Sequence, residues 1–188
     1  MTKNNKKGFT IIEVVLVLAI AGLIFLMVFI ALPALQRSQR NTRRRQDLSR
    51  FQAATEDYRT NNNGRVPITK ESSDLNFDKS FVKKYIDEEC PAMVNSGYLY
   101  LGEGTTCGEK FRDPDGSIYN MLAKEVSSRQ EFTKSNYRTS TGDHPVIIFA
   151  WKANCADEEG FVEPTGNSND YALLMMLEGG SVACQDNK

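Results

Sequence analysis

The sequence predicts an α+β fold, in which one long N-terminal helix of about 50 residues packs on a C-terminal antiparallel β-sheet domain. Three observations predict it. Residues 14–32 are 19 consecutive uncharged residues, and residues 36–60 lack glycine and proline, so the helix can continue. Five short strand-forming segments separated by turn residues then follow, which is the order typical of α+β proteins.

The composition is that of an ordinary globular protein. The chain has 188 residues, of which 25% are charged and 40% hydrophobic. These values exclude a disordered or collagen-like chain. Lys and Arg number 23 against 24 Asp and Glu, and this balance argues against a dedicated nucleic-acid-binding protein.

The uncharged stretch is long enough to cross a membrane. At 1.5 Å per residue, residues 14–32 form a helix of roughly 29 Å, about the thickness of the hydrocarbon core of a bilayer. A cleaved secretory signal peptide is the alternative, but the apolar stretch is too long for one and residues 31–34 make a poor cleavage site.

Glu13 is the one charge within residues 9–35. A carboxylate costs about 2.5–3.5 kcal/mol at the centre of an apolar span and less near its end, so a partner is expected. Cleavage between Gly8 and Phe9 would create an α-amine that could neutralise Glu13, within one chain or between two. The alternative is an interfacial glutamate that reaches the lipid headgroups.

The N-terminal segment is KKGFTIIEVVLVLAIAGLIFLMVFIALPALQ. It resembles the start of a type IV prepilin, which has a basic leader, a glycine before an N-methylated phenylalanine, a glutamate at the fifth mature position and an apolar helix. Gly8, Phe9 and Glu13 stand at those positions, and Gly22 falls where many pilins carry a glycine. Pro33 departs from the pattern, because it lies about one helical turn later than the common proline kink.

The resemblance implies how the chain is processed and assembled. A membrane prepilin peptidase would remove residues 1–8 and methylate the Phe9 amine. Mature subunits would polymerise into a helical homo-oligomer through their N-terminal helices, with a pilus assembly platform protein and cytoplasmic ATPases. Glu13 would pair with the Phe9 amine of a neighbouring subunit and set its axial register.

The charges that flank the span conflict with a C-terminal domain outside the membrane, which the resemblance implies. Three lysines precede it, whereas five arginines follow it at positions 37, 40, 43, 44 and 45, so the positive-inside rule alone puts the C-terminal domain in the cytoplasm. The cysteines and the resemblance favour a domain outside the membrane, which we adopt. The arginines are expected to form a solvated helix face that pairs with neighbouring subunits, and lipid headgroups or DNA are the alternatives.

Beyond the span, a mostly apolar stripe indicates that the helix continues to residue 60. Leu48, Phe51, Thr55 and Tyr58 recur every three or four residues, and residues 61–64, NNNG, favour a left-handed cap.

Residues 65–188 predict a globular α+β head. Residues 65–77 are expected to be a loop, and Asp78 to cap a short helix that Pro91 ends. Residues 128–131 match a capping box and predict one helical turn, whereas residues 178–181 predict a tight turn. The predicted strands are residues 98–101, 117–122, 146–152, 171–177 and 181–184.

Four cysteines lie beyond the span: Cys90, Cys107, Cys155 and Cys184. Their spacing does not form a zinc knuckle, so no metal is predicted. Two disulfides are expected outside the cell, and three pairings are possible. We favour Cys90–Cys107 and Cys155–Cys184, of which the second resembles the disulfide that often closes the C-terminal region of pilins. Four reduced cysteines in a cytoplasmic domain are the alternative.

No motif predicts an enzyme or a cofactor. His144 is the one histidine, and no nucleophile motif accompanies it. Residues 113–116, DPDG, lack the remaining ligands of a calcium loop and favour a turn. Residues 102–104, GEG, do not continue into a dinucleotide fingerprint.

The sequence therefore predicts a structural subunit with four parts. They are a leader (1–8), a transmembrane and filament-core helix (9–35), its amphipathic continuation and cap (36–64), and the head (65–188). The expected protein is a major or minor pilin of an extracellular type IV pilus that supports adhesion, twitching motility or DNA uptake. Before assembly it would span the inner, cytoplasmic membrane once. The alternatives are a pseudopilin of a type II secretion or competence machine and a membrane-anchored binding domain that does not polymerise.

Overall fold

The computed structural model describes residues 8–71, 74–86, 92–95, 98–101, 112–132 and 145–188. The chain divides into two units, Met1–Gln39 and Arg40–Lys188, and one helix, α1 (Ile11–Asn61), contributes residues to both. Strands make up most of the regular structure of the second unit, so the predicted α+β class is confirmed. In the first unit α1 continues through Pro33, which does not end it.

In the second unit α1 packs through the predicted stripe. Leu48, Phe51, Thr55 and Tyr58 are all buried. The helix ends as residues 61–64 predict, since Asn63 and Gly64 adopt left-handed φ angles of 55° and 79°. The Gly64 amide then donates to the carbonyl of Arg59 over 2.8 Å and closes the last turn.

Eleven strands and two short helical segments follow α1 among the described residues. In chain order they are β1 (Ile68–Glu71), β2 (Asp74–Phe77), α2 (Lys79–Phe81), a π-helical turn (Val82–Ile86), β3 (Ala92–Asn95), β4 (Tyr98–Leu101), β5 (Asn120–Glu125), β6 (Gln130–Glu131), β7 (Val146–Trp151), β8 (Ala153–Cys155), β9 (Phe161–Pro164), β10 (Tyr171–Met176) and β11 (Val182–Asp186).

A six-stranded sheet in the order β11-β10-β7-β5-β4-β3 forms the centre of the second unit. Four of its five strand pairs are antiparallel, but β5 and β7 pair in parallel, with Asn120 opposite Val146. The prediction of an antiparallel sheet is therefore wrong for this one pair of strands. The long connection between β5 and β7 permits the parallel arrangement, which a tight hairpin could not form.

Each face of this sheet packs against a different layer, because side chains alternate along a strand. Ile147 and Phe149 on β7 join a core cluster with Leu48 and Phe51 of α1. Ile148, between them, joins a second cluster with residues of the three-stranded sheet β6-β9-β8 and of its flanks. The second unit is therefore three layers deep, with α1 and the small sheet on opposite sides.

Three local predictions for the head are wrong. Residues 65–77 contain the antiparallel hairpin β1–β2 instead of a loop, and the alternating Leu75 and Phe77 are buried. Residues 128–131 form no helical turn, because Gln130 and Glu131 pair with β9. The strand expected at 117–122 begins only at Asn120, because Ser117 closes the preceding turn and Ile118 pairs back with Arg112 in an isolated bridge.

The other predicted elements agree more closely with the structure. Asp78 caps α2 by accepting a hydrogen bond from the Ser80 amide over 2.8 Å. The strands expected at 98–101, 146–152, 171–177 and 181–184 correspond to β4, β7, β10 and β11. β7 ends at Trp151, one residue before the expected end, because Lys152 has a φ of 62° and turns the chain from the central sheet into β8.

Candidate functional site

The N-terminal segment begins α1 with a capping box. Thr10 precedes the first helical residue, and its hydroxyl accepts a hydrogen bond from the Glu13 amide over 3.4 Å. The Glu13 carboxylate reaches back to accept from both the Thr10 amide and the Thr10 hydroxyl, each over 2.8 Å. This reciprocal pattern satisfies amide groups that would otherwise be unpaired at a helix start.

The capping box gives Glu13 a partner that the sequence analysis missed. The signal was present, because Thr-x-x-Glu before an apolar run is the signature of the motif. Both hydrogen bonds use Oε2, and within the described residues no hydrogen bond to Oε1 is formed. Glu13 can therefore cap its own helix and still accept a second, positively charged partner.

The part of α1 that lies in the first unit carries mostly apolar side chains, and from Ile11 to Leu35 its large apolar side chains are exposed. An 18-residue window has a mean hydropathy of 3.2 and no buried residue, which meets the length and composition of a membrane-spanning helix. Phe9, immediately before the helix, is 90% exposed, and Gly8 has open space around it. An apolar surface of this extent needs a membrane or other protein chains to cover it.

Two of the five arginines that follow the span form ion pairs within the second unit and so hold α1 against its turns. Arg40 forms a two-point ion pair with Glu178. Arg44 does the same with Asp113, with Nε and Nη2 at 2.6 and 2.8 Å from the carboxylate oxygens. The expected solvated arginine face is therefore wrong for Arg40 and Arg44, whereas Arg43 and Arg45 are exposed.

The carboxylates of these pairs come from two predicted turns. Residues 113–116 do form a turn, closed by the Gly116 amide on the Asp113 carbonyl over 2.8 Å. Residues 178–181 form another turn. The Asn41 side chain binds the backbone of this turn, because it accepts a hydrogen bond from the Glu178 amide and donates one to the Glu178 carbonyl. Sequence reasoning found the turns but not the pairs, because partners 69 and 138 residues apart leave no local pattern.

Three hydrogen bonds between a tyrosine and a carboxylate join α1 to the residue before β5, to β10 and to the cap of α2. Tyr119 donates to Asp47 over 3.0 Å, Tyr171 to Glu56 over 2.5 Å, and Tyr58 to Asp78 over 2.7 Å. Burial and the nearby carboxylates raise the pKa of all three phenols above the usual value, that of Tyr58 to about 12. The phenols are therefore neutral donors at physiological pH.

Two of the four cysteines lie in the part of the chain that the structure describes. Cys155 and Cys184 form a disulfide, with their Cα atoms 6.0 Å apart, and this is one of the two pairings that the sequence analysis favoured. Cys90, Cys107 and His144 lie outside the described residues. Within the described ranges, no three His, Cys, Asp or Glu side chains converge in a way that could hold a metal ion.

Comparison with known proteins agrees with the N-terminal geometry. No curated protein and no solved structure matches the chain. Residues 3–29 match the family described as the prokaryotic N-terminal methylation motif, whose pilin-like members are structural proteins. The match includes the capping box and most of the apolar helix, and it implies processing by a prepilin peptidase and assembly of a pilus or secretion system. The chain therefore carries the hallmark of the class III signal peptide of type IV pilins.

Proposed function

We propose that the chain is a structural subunit of an extracellular type IV pilus. Residues 1–8 are its leader, Phe9 becomes the methylated N-terminus, and the apolar part of α1 lies in the membrane before assembly and in the filament core afterwards. The observation that supports this most strongly is the methylation motif over residues 3–29, which precedes an apolar helix with no buried residue in its most hydrophobic window.

The role proposed for Glu13 follows from its two oxygens. In the uncleaved chain Oε2 caps α1 through Thr10. Cleavage after Gly8 places a cationic amine at Phe9, beside the helix N-terminus, where that charge is unfavourable. We propose that Glu13 of one subunit neutralises the Phe9 amine of its neighbour, because opposite charges attract strongly in an apolar environment.

Two substitutions separate this pairing from the cap. Glu13→Gln keeps a side chain that can complete a capping box but loses the charge. Thr10→Val keeps the charge but removes the hydroxyl that both accepts from the Glu13 amide and donates to its carboxylate. Both variants are expressed in the native cells, and the amount of the chain in sheared surface filaments is compared with the amount in membranes.

The pairing predicts that Glu13→Gln inserts into the membrane but yields at least roughly tenfold less filament, since a buried charge would lose its partner. Thr10→Val should assemble to within about threefold of wild type, because losing a cap costs only about 1 kcal/mol. Normal filaments from Glu13→Gln would refute the pairing. A wild-type chain that stays in the membrane without surface filaments would favour a pseudopilin or a simple anchor.

A further inference from the structure

Three of the five arginines that follow the span are not used to hold the second unit together. Arg40 and Arg44 form ion pairs with its turns. Arg37, Arg43 and Arg45 are exposed, and none of them forms an ion pair within the described part of the chain. Three positive charges next to the end of the span are therefore available to a partner of opposite charge.

These three arginines lie on α1 close to the end of its apolar stretch. Arg37 follows Leu35, the last of the exposed large apolar residues, by two positions, and Arg43 and Arg45 follow later on the same helix. At 1.5 Å per residue, the axial distances from Leu35 are about 3, 12 and 15 Å. Helical side chains also lean towards the N-terminus, which here is the side of the span. A headgroup layer about 5–8 Å thick and a Debye length of about 8 Å bring all three within reach of headgroup charge.

The three arginines point in different directions around α1. With 3.6 residues per turn, Arg45 lies about 80° and Arg43 about 240° around the helix axis from Arg37. The sector between Arg43 and Arg37 holds Arg40 and Arg44, which bind the second unit. A protein partner or a DNA duplex would contact a helix from one side, whereas a lipid surface surrounds a helix that emerges from it. The arrangement therefore favours lipid headgroups as the partner.

We propose that Arg37, Arg43 and Arg45 bind the headgroups of anionic phospholipids on the outer surface of the membrane before assembly. This inference rests on the proposed function, which places the apolar part of α1 in the membrane and the second unit outside it. Guanidinium groups suit such headgroups, because they can donate two parallel hydrogen bonds to phosphate oxygens. The headgroups supply negative charge to arginines that the positive-inside rule would place in the cytoplasm. The contact holds the subunit at a fixed depth until it leaves the membrane.

Native mass spectrometry of the full, uncleaved chain tests this contact. The chain is held in detergent micelles with equal amounts of a phosphatidylglycerol and a phosphatidylcholine that have the same acyl chains, and the bound copies of each lipid are counted. The ratio reports the preference for an anionic headgroup. The test variant is R37Q/R43Q/R45Q. The matched control is R65Q/K83Q/K84Q, which removes the same charge from exposed residues beyond the end of α1. Near-ultraviolet circular dichroism identifies any variant that fails to fold.

The wild-type chain should retain phosphatidylglycerol over phosphatidylcholine by at least roughly tenfold, because each basic residue near an anionic surface contributes about fivefold. R37Q/R43Q/R45Q should bind the two lipids to within about twofold of equally, and the control should stay within about twofold of wild type. The attraction weakens with distance from the headgroups, so Arg37→Gln alone should lower the ratio more than Arg45→Gln alone.

Equal retention of the two lipids by the wild-type chain, or an equal loss of preference in the control, would overturn this contact. The pilus proposal would still stand if the same chain forms surface filaments. Binding of a DNA duplex by the wild-type chain but not by R37Q/R43Q/R45Q, without any lipid preference, would assign the arginines to DNA instead. A wild-type chain that is absent from the membranes of its native cells would refute the proposed function, and this contact with it.

Discussion

Arg44 and Asp113 form an ion pair that is almost entirely shielded from solvent. Their side chains are 12% and 0% exposed, and two hydrogen bonds of 2.6 and 2.8 Å join them. Removing one partner leaves the other charge buried and uncompensated, which costs about 3–5 kcal/mol. We therefore expect Arg44→Leu to lower the free energy of unfolding of the second unit by about that amount.

Thermal unfolding of the full chain in detergent micelles measures this loss. Trp151 is the one tryptophan and packs against the core of the second unit, so its near-ultraviolet circular dichroism follows that unit. For a unit of this size, about 2–4 °C of melting temperature corresponds to 1 kcal/mol, so the midpoint should fall by about 6–20 °C. Arg43→Leu is the matched control, because it removes an exposed arginine and should change stability by less than about 0.5 kcal/mol.

The variant R44L/D113N separates the buried charge from lost packing. Asparagine removes the charge that Arg44→Leu leaves unpaired, so the combined variant should recover more than half of the lost stability. The reasoning is refuted if Arg44→Leu melts within about 1 kcal/mol of wild type, or if the combined variant is no more stable than the single one.

Three further predictions concern the second unit. Replacing both Cys155 and Cys184 by serine should cost about 3–4 kcal/mol, since the disulfide closes a loop of some 30 residues, and an unchanged melting temperature would contradict this. Tyr58, Tyr119 and Tyr171 have raised pKa values, so their contribution to stability is complete below pH 10 and is lost as pH rises through the folded pKa values. Absorbance at 295 nm should therefore show three of the seven tyrosines ionising only as the Trp151 signal disappears, and ionisation of all seven near pH 10 in the folded protein would refute this. Gly64→Ala should cost about 1–2 kcal/mol through its φ of 79° alone, because nothing lies within 4 Å of the new Cβ, and a neutral effect on melting would contradict it.

Features set by local chemistry were predictable from the sequence. The α1 stripe from Leu48 to Tyr58 and its cap at Gly64 depend on residues within a few positions of each other. The same holds for the turns at residues 113–116 and 178–181, where glycine supplies the positive φ that the turn needs. The hairpin of β1 and β2 also had a signal, since Leu75 and Phe77 alternate with polar residues, but strands of four residues rarely stand out.

Features set by distant partners were not predictable from one sequence. Asp113 looked like a turn residue, and nothing near it in the chain indicates that Arg44 would bury it. The parallel pairing of β5 with β7 depends on how a long connection is routed, which periodicity does not specify. The Thr10–Glu13 capping box, in contrast, was a local pattern that should have been recognised.

Intact and peptide mass spectrometry of the chain recovered from its native cells tests the central claim most directly. The account predicts a chain that begins at Phe9, carries one additional methyl group on its amine, and has Cys155 and Cys184 joined by a disulfide. A chain that still contains residues 1–8 and has free thiols would contradict it, because neither prepilin processing nor export would have taken place.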